Sequence, residues 1–473
     1  MISRFLFYIP LIALFIGCNT APESKIPTTA LKGATLFDGN GNQTSNGVIL
    51  VQEGRITAVG GAETEIPAGA EVIDVSGKYI TPGLVDAHVH FGQTGFYDGR
   101  PDALDLRDTL PYEAVQKQLA SNPDRYYEAY LRSGVTAVYD VGGYEWSLGL
   151  PASAEDNLDA PHVAAAGPLL TPVPQENLAV INTDQGNQLI QLTSPELGRE
   201  RVQKQTALGA TGIKIWMIAL KDTVFMNSLH AVKEEVGRQN NKLIVHATNL
   251  DQAKEALRLG AKVLVHSVDD QPLDDEFIDL ARKAGVIYCP TLVVLRGYNN
   301  ASKALTNKFE VQDPNNVVDA ETKNRINSGH LFFKYYPNPE KYEENIAGES
   351  EYYEGLETMM AANLKRVYEA GIPIALSTDA GNPGTLHGIS IYDELEAMQQ
   401  AGISPTDIIP MATRNGALAM ERADDFGTLE VGKMADLIVL EKDPSIDASN
   451  FRSITHVMRG GLIRPVNVPF DKD

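Results

Sequence analysis

Cysteine is nearly missing from this chain: two occur in 473 residues. That excludes a thiolate-built zinc cluster and an iron–sulfur centre, and it leaves room for one disulfide at most. Any metal centre has to be made from His, carboxylate or Lys. Positive charge is also scarce, with 40 Lys+Arg against 62 Asp+Glu and a formal charge of −22. Nucleic-acid affinity comes largely from basic side chains that displace counterions, so a phosphate-backbone partner is excluded. Docking on anionic lipid through a basic patch is excluded for the same reason. No GxGxxG follows the first strand and no P-loop is present, which removes the common nucleotide-phosphate sites. What is there is 43% hydrophobic and 22% charged residues, the composition of a folded protein too long for one ordinary core.

An apolar run opens the chain. Residues 1–17 (MISRFLFYIPLIALFIG) are too short for a comfortable membrane span of roughly twenty residues and fit an export signal. Phe15-Ile16-Gly17-Cys18 resembles a bacterial lipoprotein processing site. The resemblance implies a lipidated Cys18, export to the periplasm or outer membrane, and membrane contact through the lipid anchor alone. Residues 18–28 are then a polar tether. With Cys18 lipidated, Cys289 stands alone, and its place inside VIYCPTL marks it as a small core residue.

Residues 29–78 read as short strands and turns, with a hairpin around Glu53-Gly54. Residues 423–473 read alike. One small β-sandwich domain built from both chain ends is the economical arrangement. Between them, residues 79–422 alternate short apolar runs with helical stretches. The apolar runs are residues 83–90, 135–143, 162–171, 213–218, 243–248, 263–268, 286–294 and 372–380. Eight strands each followed by a helix is the count of a (β/α)8 TIM barrel, an α/β fold whose active site lies at the C-terminal ends of the strands. An open doubly wound sheet is the alternative. A long segment at 297–360 interrupts the repeat with six tyrosines and eleven acidic residues against six basic ones. It reads either as a solvated helical excursion or as a specificity wall over the barrel mouth.

Polar residues interrupt the apolar strands at one end. His88 and His90 are two apart on the first strand and share a face. Lys214 is the charged residue of IKIWMI, His246 and His266 close the fifth and sixth strands, and Asp379 closes the eighth. Taken singly, a strand-end His is more often hydrogen-bonded structure than a ligand, and a buried Lys more often a carboxylate's partner. Together they need a common partner, because burying such groups without one is costly. Imidazole and carboxylate without thiolate suit Zn²⁺ and other borderline divalent ions.

The same residues lie in motifs that resemble the amidohydrolase superfamily: YITPGLVDAHVH (79–90), IKI (213–215), STDAG (377–381), ATRNGALAM (412–420) and GTLEVGKMADLIVL (427–440). VYDVGG, IKI, HAT and CPTL look most like its branch of Xaa-Pro dipeptidases and arginine carboxypeptidases, although Tyr139 stands where Arg is common. The resemblance implies two divalent ions, Zn²⁺ first with Mn²⁺ or Co²⁺ as alternatives, bridged by a carboxylated Lys214. His88, His90, Lys214 and Asp379 would hold one ion, and Lys214, His246 and His266 the other. It further implies a metal-bridging hydroxide, with Asp379 as general acid and base. The expected substrates are small peptides or amides, cleaved by a dipeptidase or carboxypeptidase.

Other hydrolases with this centre act on cyclic amides, lactones or deamination substrates, and a non-catalytic relative would be a binding or scaffold protein. Deaminase-type relatives with one metal lack the bridging Lys, and scaffold relatives lose ligands that this chain retains. Three residues are secondary candidates for substrate: His387 after the eighth strand, and Arg296 and Tyr298 just past the seventh. His162 sits at the start of the third strand, the wrong end for catalysis. A homo-oligomer is compatible with all of this.

Overall fold

The computed structural model describes residues 27–184 and 186–470. The expected export signal (1–17) and Cys18 lie outside the described residues.

The two chain ends meet in one hydrogen-bonded sheet of eight strands. The N-terminal half supplies Thr29–Phe37, Gln43–Gln52, Arg55–Gly60, Glu71–Asp74 and Tyr79–Pro82, and the C-terminal half Leu437–Leu440, Ile454–Arg459 and Leu462–Pro465. The join is Tyr79–Pro82, paired antiparallel with Leu437–Leu440 from Tyr79↔Leu440 to Pro82↔Leu437. The expected hairpin is present. Glu53 and Gly54 both have positive φ, 50° and 75°, the backbone that matches a two-residue turn to the twist of its strands.

Eight parallel segments then close a barrel. The first seven are Leu84–Val89, Val135–Asp140, His162–Ala165, Ile213–Trp216, Leu243–His246, Val263–Val265 and Ile287–Cys289. Consecutive strands pair in parallel from first to third and from fourth to seventh. The third meets the fourth through Thr211 N–H to the Ala165 carbonyl, 2.9 Å, and through Leu170 opposite Ile215. The first two strands are buried along their whole length. That is why they read as unbroken apolar runs: a parallel strand in a barrel faces core on both sides.

The eighth segment, expected at 372–380, is an extended run rather than a regular strand. Pro373 has no N–H to give, and Asp379 has φ 63°, so the ladder is interrupted. It still closes the barrel. Ala375 N–H donates to the Tyr288 carbonyl (2.9 Å), Ala87 to Leu376 (2.9 Å), His90 to Ala380 (2.8 Å) and Asp379 to His88 (2.8 Å).

Outer helices start at capping side chains. Asn249, Asp274 and Ser404 accept first-turn N–H groups of Leu250–Arg258, Asp275–Ala284 and Pro405–Met411. The long segment after the seventh strand is helical, with helices Val294–Ala304, Ala320–Asn327 and Tyr342–Glu369. It leans on the loop that follows the first strand: Tyr97 hydroxyl meets Ser302 Oγ at 2.8 Å, Arg125 pairs with Asp319 at 2.7 Å, and Thr322 Oγ1 donates to the Thr94 carbonyl at 2.9 Å. These contacts raise a wall beside the barrel mouth.

Candidate active site

The barrel brings all six sequence-selected polar residues to the wall of one cavity of about 250 Å³. His88, His90, Lys214 and His266 are buried, and His246 is half-buried. His88 Nε2 and His90 Nε2 lie 3.3 and 3.0 Å from Asp379 Oδ1, and His266 Nδ1 lies 4.0 Å from Asp379 Oδ2. The rings of His246 and His266 are 4.4 Å apart, centroid to centroid, and those of His88 and His266 4.9 Å.

Backbone conformation aims several of these groups. His266 and Asp379 follow or end their strands with φ 72° and 63°, a left-handed region that non-glycine residues seldom occupy and that costs on the order of 1–3 kcal/mol. Thr291, just past the seventh strand, has φ 49°, and its hydroxyl lies 2.7 Å from His266 Nδ1. His90 Nδ1 lies 2.6 Å from the Gly142 carbonyl. A carbonyl only accepts, so Nδ1 carries the proton and Nε2 presents its lone pair to the cluster.

Asp86, two residues before His88, ties the first strand to the end of the eighth. Its carboxylate accepts from Thr378 N–H (3.0 Å) and Thr378 Oγ1 (2.6 Å), beside Asp379. Burial pushes Asp86 up to about 7.

The electrostatics favour ligation. Burial, helped by Lys214, drives His88 well below the usual imidazole range. Burial and the neighbouring His246 do the same to His266, and burial takes His246 down to about 3. All three are therefore neutral, the form that binds a cation. Burial pushes the Lys214 amine down to about 7 against the pull of Asp379. Two buried atoms in the cluster, His88 Nδ1 and Asp379 Oδ1, have no hydrogen-bond partner among the described residues. Such orphaned groups are costly unless something else satisfies them. His88, His266 and Asp379 each offer one ligand atom, all within 4.8 Å of one another. Donor chemistry and unsatisfied atoms thus fit a divalent metal ion.

The secondary candidates divide. Tyr298 lines the cavity, and its hydroxyl donates to Asn382 Oδ1 at 2.8 Å. Arg296, two residues earlier on the same helix, pairs with Glu357 at 3.0 Å and is not among the lining residues. His387 is buried away from the cavity wall, with Nδ1 at 2.7 Å from the Tyr130 hydroxyl and Nε2 at 3.1 Å from the Gln93 carbonyl. Both its nitrogens are occupied by protein. Cys289 is a buried free thiol in the seventh strand.

Other lining residues escaped the reading of the sequence. Arg100 and Asp102 stand in a turn-rich loop without periodicity, which offers no signal. Asn382 directly follows STDAG and was within reach of that motif. Trp216, at the end of the fourth strand, looks like core until the barrel shows its end to be the cavity wall. The remainder of the lining mixes apolar residues, among them Leu169, Ile181, Leu189, Leu295 and Met360, with the polar Gln93, Gln188, Thr248 and Asp269.

Comparison with known proteins agrees with this geometry. An imidazolonepropionase of Geobacillus sp. (strain WCH70) is 24% identical over 429 residues, 84% of this chain and 84% of the relative. A Xaa-Pro dipeptidase solved with methionine in its active site shares the fold with a TM-score of 0.68 at 21% identity, over 93% of this chain and 100% of that one. The A. niger ochratoxinase structure gives 0.67 at 24% identity, over 93% and 95%. The sequence pattern of the amidohydrolase family matches residues 79–464, the span that holds the barrel and its cluster. The chain therefore belongs to the amidohydrolase family, hydrolases of carbon–nitrogen bonds, with its polar cluster at the C-terminal mouth of a (β/α)8 barrel.

Proposed function

We propose that this protein is a binuclear metal-dependent hydrolase of small peptides, a dipeptidase or carboxypeptidase. The observation that carries the reading is the convergence of four histidines, Lys214 and Asp379 on one cavity. Its lining is part apolar, part polar, as suits an amino-acid side chain beside a peptide bond.

His88, His90 and Asp379 would hold one divalent ion and His246 and His266 the other, with a carboxylated Lys214 between them. Two such ions, when bound, lower the pKa of a water and polarise the scissile carbonyl. The chain's own residues do the rest. Asp379, directed by its left-handed backbone into the cluster, accepts the proton of the attacking water and delivers it to the leaving amine. Thr291 and the Gly142 carbonyl hold His266 and His90 in place. The helical wall with Tyr298 and Met360 closes one side of the cavity and limits access of bulk water.

A second reading is hydrolysis of a cyclic amide, favoured by the similarity to imidazolonepropionase. The test is an assay of zinc-loaded protein against a dipeptide panel and a cyclic-amide panel, with metal analysis of the same sample. Cleavage of dipeptides with close to two ions per chain is expected. Cleavage of cyclic amides alone overturns the peptidase reading, and purified protein without divalent metal overturns both.

The reading extends to an exported protein lipidated at Cys18, supported by the sequence of residues 1–18. Labelled fatty acid should enter the wild-type protein in a bacterial host and be absent from Cys18→Ser. Equal labelling of the two would remove the anchor.

A further inference from the structure

We propose that Arg100 binds a carboxylate of the substrate and so selects substrates with a free acid group next to the scissile bond. This rests on the amide-hydrolase reading and adds a residue to it. The observation is how the guanidinium is held. Nε and Nη2 of Arg100 donate to the two carboxylate oxygens of Asp102 at 2.9 and 2.8 Å, and Nη1 donates to Asn382 Oδ1. A guanidinium carries five N–H donors in one plane. Three are engaged, which leaves two, and the side chain keeps 20% of its surface exposed while lining the cavity.

The surroundings fix the plane of that group. Asn382 Oδ1 also accepts from the Tyr298 hydroxyl, and the guanidinium carbon lies 5.9 Å from the centre of the Tyr298 ring. Asn382 Nδ2 donates to the Asp379 carbonyl at 3.2 Å, so the arrangement is joined to the residue that carries the proposed chemistry. Held on three sides, Arg100 loses little freedom when a ligand arrives.

Among these residues the positive charge is local. Among the described cavity residues outside the ligand cluster, the other charged side chains are Asp102 and Asp269. An anion there finds positive charge at Arg100 alone. Asp102 balances the charge of Arg100 and leaves the choice to geometry. A carboxylate accepts from both remaining N–H groups, whereas a carboxamide turns an NH₂ towards one of them.

The test compares L-alanyl-L-leucine with L-alanyl-L-leucinamide on wild type, Arg100→Gln and the double variant Arg100→Gln/Asp102→Asn. The double variant leaves no acid unpaired, and thermal melting checks that each variant is folded. Wild type should prefer the free acid by about tenfold or more in kcat/KM, expressed in KM, as expected for a charged hydrogen bond. Both variants should reduce the preference to about twofold, read as the ratio of the two substrates within each variant. A wild type without preference, or variants that keep it, overturns the proposal. If neither compound is cleaved, the dipeptide panel decides the peptidase reading separately, and Arg100 is judged by calorimetric titration with N-acetyl-L-leucine and N-acetyl-L-leucinamide. Acid-selective binding lost in Arg100→Gln supports the role, and binding that is unselective, absent or retained in the variant refutes it.

Discussion

The Nδ1 atom of His266 and the hydroxyl of Thr291 lie 2.7 Å apart, and both residues have left-handed backbones. A β-branched residue there is a rare conformation that the surrounding structure must enforce. Glu394 supplies part of that enforcement. Its buried carboxylate accepts from the N–H groups of Leu292 (2.9 Å) and Val293 (3.0 Å), the two residues after Thr291. The strained turn places a hydroxyl on Nδ1 and leaves His266 Nε2 free for the cluster.

Thr291→Val keeps the shape and β-branch but removes that hydroxyl. Zinc affinity should fall on the order of 10–100-fold, as for other lost partners of ligating imidazoles, with the melting curve of the metal-free protein little changed. Titration against a competing chelator measures it. Unaltered affinity would mean that the hydroxyl does not orient the ring.

Asp379→Asn should leave the fold intact, because Asn tolerates the left-handed backbone found here. One side-chain oxygen remains as a ligand, but the group no longer takes up a proton. Turnover should drop on the order of 10²–10⁴-fold while most of the metal is retained. A purified variant working at near wild-type rate would remove the assigned role.

Lys214 titrates near 7 in its buried position, so its neutral amine grows as pH rises through that value, and CO₂ adds only to the neutral form. Metal uptake from CO₂-depleted buffer should be incomplete and recover with bicarbonate, more fully above about pH 7 than below it. Lys214→Arg, which stays protonated, should show no such response. Equal uptake with and without bicarbonate in wild type would argue against a carbamate bridge.

At the opposite end of the barrel His162 sits between Glu155 (3.1 Å) and Asp436 (2.9 Å) and stacks on Phe426, with ring centroids 4.6 Å apart. Burial pulls the imidazolium down, but the bonds to Asp436 and Glu155 outweigh it and hold His162 above its ordinary value. A raised folded value means stabilisation that is full below the unfolded value of about 6.5 and lost as pH rises through the folded one. Burial pushes Asp436 up, yet His162 and Arg459 hold it below the usual carboxylate range. His162 and Arg422 hold Glu155 well below its own. Those two contributions are present above the unfolded carboxylate values of about 4 and are lost on acidification. Melting temperature should therefore decline as pH rises above about 6.5, and His162→Gln should flatten that decline. An equally steep decline in the variant would place its origin elsewhere.

Much of the polar cluster was readable before any coordinates because its members interrupt apolar strands. A parallel barrel strand is buried on both faces, so a His, Lys or Asp inside one stands out, and His88-x-His90, Lys214 and Asp379 did so. Arg296 and His387 show where that kind of reading stops. Both stand in sequence beside ligand-bearing strands, yet one is drawn to Glu357 and the other to Tyr130 and the Gln93 carbonyl.

The sequence by itself determined that the chain builds a barrel flanked by a small β-domain from its two ends, with a cluster of His, Lys and Asp on its strands. Burial and strand periodicity act residue by residue, and they leave their mark on composition. The tertiary structure alone decided that Arg100 and Asp102, from a loop without periodicity, meet Asn382 at the cavity wall, and that His266, Thr291 and Asp379 turn left-handed to aim their side chains. Those outcomes depend on how distant loops pack together, and a contact between residues some 280 positions apart, such as Arg100 with Asn382, leaves no local pattern to read.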